Sequence, residues 1–276
     1  MTLSAYATLP SGILSSPTPF TFTVPLSEQN HLLKFAGQAD IGVPSYYSTH
    51  TNVTNNTSFG ISRDWLIHAQ DTWTSSSSYS WRDEQRRLNS FPNFRINVTA
   101  SPTTSSAFSS QDWNHVSGPG PSNGDVFDIH FAALFSHKRD ATPLILLHGW
   151  PGAWFEFAPL LELLVKKYSP QTLPYHVIVP SIPDYSLSTR AGELDTELTM
   201  DAAAGAMDGL MRALGFGAGY VAQGGDIGAF LAQVMMGEKF VEWSDNRYPI
   251  PLKTIQTMTS FYWFTNSFGR AMWAYR

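Results

Sequence analysis

Gly224-Gly225-Asp226-Ile227-Gly228 is the stretch that most restricts what this chain can fold into. Before it, Tyr220 to Gln223 is an apolar-weighted run suited to a buried strand. After it, Ala229, Leu231, Ala232, Gln233 and Met235 are mostly helix formers. A strand that enters a helix through small-x-Asp-x-small has no room for bulk beside its central residue, and this spacing is that of a nucleophile elbow. Ser is the usual occupant of the centre; here it is Asp226. A carboxylate at that point attacks carbon directly and forms an ester, with no base needed to activate it. Taken alone, the same residues also suit a Gly-rich turn bearing a surface Asp.

A second stretch narrows the choice. Pro143 to Leu147 is a continuous apolar run that predicts a buried strand, and it leads into His148-Gly149-Trp150-Pro151-Gly152. Enough chain separates this turn from the elbow for a helix, a strand and a second helix. Phe155 to Lys167 predicts the first helix, with Phe157, Leu160, Leu161 and Leu164 inward. His176 to Pro180 predicts the strand. Met200 to Leu214 predicts the second helix, with Met200, Ala203, Met207, Leu210, Met211 and Leu214 on one stripe that reads as core packing. Strand–helix alternation of this kind predicts an α/β fold with a doubly wound, mostly parallel sheet, with reacting groups at the carboxyl ends of its strands.

His-Gly-Trp-Pro-Gly followed by Gln-Gly-Gly-Asp-Ile-Gly resembles the epoxide hydrolases of the α/β-hydrolase superfamily, microsomal-type branch. The run Trp81 to Phe94, with Leu88-Asn89-Ser90-Phe91-Pro92-Asn93-Phe94, is similar to the N-terminal region that precedes the hydrolase domain in those enzymes. Ser260 to Arg276 resembles their cap segment, with Gly269 where Pro is usual. The resemblance implies that Asp226 is the nucleophile and Tyr275 the proton donor to the opening ring. It also implies that the backbone N–H groups of Trp150 and Ile227 form the oxyanion hole. A small-molecule epoxide is the implied substrate, with no metal or organic cofactor. Ile227 does not fit a haloalkane dehalogenase, which commonly carries Trp just after the nucleophile, and Asp226 does not fit a serine esterase.

Further features depart from the family pattern. Asp184 stands where a Gly is usual in the loop after the His176 strand. All eight histidines precede Asp226, whereas the superfamily order places the general-base His after the nucleophile. Met235 to Lys239 also bridges almost directly to the cap-like tail. The expected organisation is therefore an incomplete α/β-hydrolase fold with an N-terminal extension and a partial cap: a flexible lead-in at 1–19, an epoxide hydrolase-type N-terminal region with a Ser/Pro-rich insertion at 20–124, a hydrolase core at 125–236, and a partial cap at 237–276. A shortened, truncated family member with impaired turnover is one expectation; a non-catalytic remnant that binds an apolar ligand or partner is the other. The net charge of −5, without a basic patch, argues against nucleic acid. The absence of cysteine excludes disulfides and thiolate metal sites, and no apolar run reaches membrane-spanning length. A cytoplasmic protein is expected, with a homodimer left open. Phe20 to Val24 and Phe127 to Phe131 alternate and predict strands, the latter an edge or second strand.

Overall fold

The computed structural model describes residues 3–43, 63–75, 79–101, 125–190 and 198–236, together with Thr257, Ser260, Phe264 and Thr265. Its strands are β1 (Thr18–Pro19), β2 (Asn93–Thr99), β3 (Val126–Leu134), β4 (Thr142–Leu147), β5 (Tyr175–Pro180), β6 (Thr189–Arg190) and β7 (Val221–Gly224). Its helices are α1 (Leu26–Gln38), α2 (Arg63–Thr74), α3 (Trp81–Leu88), α4 (Ala158–Lys167), α5 (Met200–Ala213) and α6 (Ile227–Met236). Ser80 caps α3 by accepting from the Asp83 N–H, and Thr199 caps α5 by accepting from Ala202 N–H.

One sheet runs in the order β1-β2-β3-β5-β4-β7, with β6 attached to β3. β5, β4 and β7 are parallel to their neighbours in that half, whereas β1, β2, β3 and β5 pair antiparallel. The α/β architecture is as expected, but the sheet is mixed rather than mostly parallel. Parallel pairing needs a crossover helix, and only the segments carrying α4 and α5 supply one. β3 is also not an edge: it lies between β2 and β5, and from Ile129 onward every residue is buried.

The expected strand at Phe20 to Val24 is replaced by β1 at Thr18–Pro19. Beyond Phe20, side-chain amides replace the ladder. Asn89 accepts from Phe22 N–H through Oδ1 and donates to Phe22 O through Nδ2, and Gln85 Oε1 accepts from Val24 N–H at 2.7 Å. The lead-in is not loose over its described part. Leu3–Tyr6 makes a 3₁₀ turn, Tyr6 is fully buried, and its hydroxyl donates to Tyr168 O at 2.5 Å.

The apolar core is continuous from Tyr6 to Ala232. The α5 stripe enters it as expected, with Ala203, Met207, Leu210, Met211 and Leu214 buried. On α4, Leu161 is buried while Leu160 is exposed, so the inward face is narrower than the sequence suggests. On α2, Leu66 likewise faces solvent. The boundary at 237 and most of the cap-like segment, Tyr275 included, lie outside the described residues. Two described residues of that segment contact the N-terminal region: Tyr79 Oη lies 3.2 Å from Ser260 Oγ, and the Trp81 and Phe264 rings are 4.5 Å apart.

Candidate active site

β7 pairs with β4 so that Gly224 stands opposite Leu147. That register places the residues following each strand side by side: His148-Gly149-Trp150 after β4 and Gly225-Asp226-Ile227 after β7. Asp226 has φ of +52°, the left-handed region that L side chains rarely adopt. The strain belongs to the turn that lifts its carboxylate clear of the strand end. Only very small neighbours permit it. A Cβ on Gly224 would lie 2.3 Å from the Gly228 backbone, and one on Gly228 would lie 2.2 Å from Leu147 O. Gly225 differs, since a Cβ there meets nothing within 4 Å.

The Asp226 carboxylate is already oriented. Trp150 N–H donates to Oδ2 at 2.8 Å, and Oδ1 has no hydrogen-bond partner among the described residues. Ile227 is the first residue of α6, so its N–H is one of the four amides with no acceptor inside the helix. The two predicted oxyanion donors, Trp150 and Ile227, therefore flank the predicted nucleophile. Tyr275 lies outside the described residues.

Two residues at the site were not singled out from sequence as part of it. His148 is fully buried, and both its ring nitrogens are engaged by backbone. Ile182 N–H donates to Nε2 at 3.1 Å, so Nδ1 carries the proton and donates to Gly149 O at 2.9 Å. Burial pushes its pKa down to about 4, opposed by the Gly149 bond and the Asp226 charge. A ring fixed as a neutral donor–acceptor bridge holds the loop and has no free nitrogen to activate water. The loop it meets, after β5, carries Asp184 at φ +64°, which explains why glycine suits that position, and Ser186 at +84°. The second residue, Glu156, lies on the 3₁₀ turn Trp154–Phe157. Its carboxylate lies over Gly152, where an added Cβ would meet Oε1 at 1.4 Å. The residue as a whole is exposed, but its carboxyl end is crowded by that turn. Desolvation there is the largest influence on the group and, with the Asp226 charge, pushes its pKa up to about 7, opposed by the nearby Gly149 backbone. The signal for Glu156 was its place four residues beyond Gly152; only the fold shows that it turns back.

No group of acidic or histidine side chains suited to a metal ion occurs among the described residues, and no helix there is long and apolar enough to cross a membrane.

A strand-to-helix turn with Asp226 at its strained centre, on a mixed sheet whose neighbouring strand end aims a backbone N–H at that carboxylate, is the arrangement of an α/β-hydrolase fold. The model for the epoxide hydrolase N terminus matches residues 17–157, and that for the alpha/beta hydrolase fold matches 142–248. The chain belongs to the epoxide hydrolase family of the α/β-hydrolase superfamily. The Aspergillus niger epoxide hydrolase structure superposes with a TM-score of 0.76 at 29% identity, covering 97% of this chain and 80% of that one; a mutant of the same enzyme gives 0.76 at 30%, covering 97% and 79%. A candidate epoxide hydrolase of Dothistroma septosporum is 35% identical over 231 residues, which are 84% of this chain and 49% of the relative. The chain spans about half the length of such curated relatives.

Proposed function

We propose that this chain carries the ring-opening half of epoxide hydrolysis. Asp226 Oδ1 attacks an epoxide carbon, the carbon–oxygen bond of the ring breaks, and the ring oxygen leaves with the electron pair and takes a proton from Tyr275. The product is a hydroxyalkyl ester of Asp226. Oδ2, which becomes the ester carbonyl oxygen, already accepts from Trp150 N–H at 2.8 Å. That contact carries the proposal, because it separates the oxygen that attacks from the oxygen that will bear charge. When water adds to the ester, the Trp150 and Ile227 N–H groups hold the tetrahedral oxyanion until the diol leaves.

The second half needs a base for that water. His148 has both ring nitrogens bonded to backbone, and every other histidine of the chain also precedes the nucleophile. We therefore confine the proposal to ester formation, the step that needs no such base. Removal of reactive epoxides in the cytoplasm is the role we give the complete chemistry.

Incubation with styrene oxide, followed by intact-mass measurement and peptide mapping, tests this. The expected result is one adduct on the peptide containing Asp226, absent in Asp226→Asn. Scattered labelling of His and Lys, or no adduct, overturns it in favour of a non-catalytic remnant.

A further inference from the structure

Two buried histidines flank the loop that follows β5, and neither has a step in the chemistry proposed above. His130 lies on β3, and His148 follows β4. They grip consecutive residues of that loop. Ser181 N–H donates to His130 O at 2.9 Å, and Ser181 Oγ lies 2.9 Å from His130 Nδ1. Ile182 N–H donates to His148 Nε2 at 3.1 Å.

The direction of each bond is set from the N-terminal end. Asn93, the first residue of β2, donates through Nδ2 to Leu88 O at 3.0 Å and to Phe91 O at 2.8 Å. Its Oδ1, 3.0 Å from His130 Nε2, is therefore an acceptor. His130 then carries its proton on Nε2, and its bare Nδ1 accepts from the Ser181 hydroxyl. Across the loop, His148 accepts through Nε2 and donates from Nδ1 to Gly149 O at 2.9 Å. Gly149 C=O and Trp150 N–H belong to one planar trans peptide unit and point in opposite directions. Whatever holds that carbonyl also aims the N–H that meets Asp226 Oδ2 at 2.8 Å.

We propose that Asn93 and His130 are positioning residues for the oxyanion donor, a role that rests on the ring opening proposed above. The line of bonds runs from Asn93 through His130, Ser181–Ile182, His148 and Gly149–Trp150 to Asp226. Asn93, His130, Ser181 and His148 are each no more than 4% exposed, so a group that loses its partner here has no water to turn to. Asn93 belongs to the corner between α3 and β2. That corner thus sets the aim of a backbone N–H beyond the end of β4, three places along the sheet. Without the Asn93 acceptor, His130 is free to take its other tautomer. Ser181 then loses its own acceptor, and the Ile182 N–H drifts from His148.

The test uses Asn93→Ala, Ser181→Ala and His148→Leu in the full chain, with Val98→Ala as a control. Val98 is buried on β2 but outside the line, so its truncation costs stability without cutting a bond. The readouts are hydrogen exchange at the Ile182 and Trp150 amides and the rate of single-adduct formation with styrene oxide. Asn93→Ala and Ser181→Ala are each expected to speed both exchanges. Each should also lower the maximal labelling rate about tenfold, the worth of one buried hydrogen bond, at an unchanged half-saturating epoxide concentration. His148→Leu is expected to act likewise, and adding Ser181→Ala to it slows labelling no further, because the line is already cut. Val98→Ala is expected to move neither readout. Unchanged exchange and labelling in Asn93→Ala and Ser181→Ala overturns the proposal, as do additive effects in the double variant or equal effects from Val98→Ala. If Asn93→Ala does not fold, Ser181→Ala, which loses a single hydroxyl, decides. If the wild-type chain takes no adduct, it is the ester-forming reading that fails, and exchange at Ile182 and Trp150 alone decides the role of Asn93 and His130.

Discussion

At the scale of single residues, two glycines of the elbow make a sharp comparison. Gly228→Ala puts a methyl 2.2 Å from Leu147 O and 2.7 Å from His148 O, two backbone atoms that cannot swing aside. The cost is expected at about 3 kcal/mol or more, read as a lower urea midpoint together with loss of the Asp226 adduct. Gly225→Ala points its methyl into open space and is expected to move stability by no more than about 0.5 kcal/mol. Equal effects from the two substitutions would mean that the turn is not built as described. The buried histidines set a pH window. His148 and His130 are pushed down by burial to about 4 and about 3 from an ordinary 6.5. His130 is held by Ser181 Oγ at 2.9 Å and Asn93 Oδ1 at 3.0 Å. The unfolded chain therefore binds their protons first. The contribution of these two histidines is full above pH 6.5 and falls as pH drops from 6.5 toward 4, by about 1.4 kcal/mol per unit for each. Urea titrations at pH 7.5, 6.0 and 5.0 measure the slope; a flat profile would mean that neither ring is neutral in the fold. Asp226, Trp150 and Ile227 were legible because a motif fixes their spacing. The tautomer of His148 was not, because its two partners are backbone groups, one adjacent and one in a loop after a different strand.

Elements differ in how visible their ties are. The stretch that forms α3 was recognisable by its resemblance over Trp81 to Phe94, yet what fastens the helix is an ion network no pattern shows. Glu84 is only 2% exposed and is bonded by Arg87, which also reaches Glu162 of α4 at 3.0 Å. Arg87→Met is expected to cost about 2 kcal/mol, since it removes a charge-assisted bond from a buried carboxylate. Arg86 pairs with Asp83 on the same helix at 73% and 60% exposure, and Arg86→Met should cost less than about 0.5 kcal/mol. Thermal melts of the two variants side by side decide whether burial or mere pairing matters. β1 was misplaced in the sequence reading for a related reason. Alternation at Phe20 to Val24 is genuine, but the amides of Asn89 and Gln85 satisfy the backbone that a neighbouring strand otherwise would.

For the molecule as a whole, the sheet has two characters. Its parallel half, β5-β4-β7, builds the site, and its antiparallel half joins it to the N-terminal region through β3. Among the described residues β7 pairs on one side only, and Val221 on it is 47% exposed. An open, apolar strand edge invites pairing between molecules. Val221→Lys is therefore expected to lower light scattering in concentrated solution while leaving the circular dichroism spectrum unchanged; equal scattering would place the aggregating surface elsewhere. The burial of Tyr6 carries a different consequence, one of timing. A chain is synthesised from its amino end, so Tyr6 is made well before its partners, Phe135 and Tyr168. Its carbonyl waits for Phe135 N–H and its hydroxyl for Tyr168 O. Until both have emerged from the ribosome, Tyr6 has nowhere to dock, and an aromatic ring destined for the interior stays within reach of whatever binds nascent polypeptides.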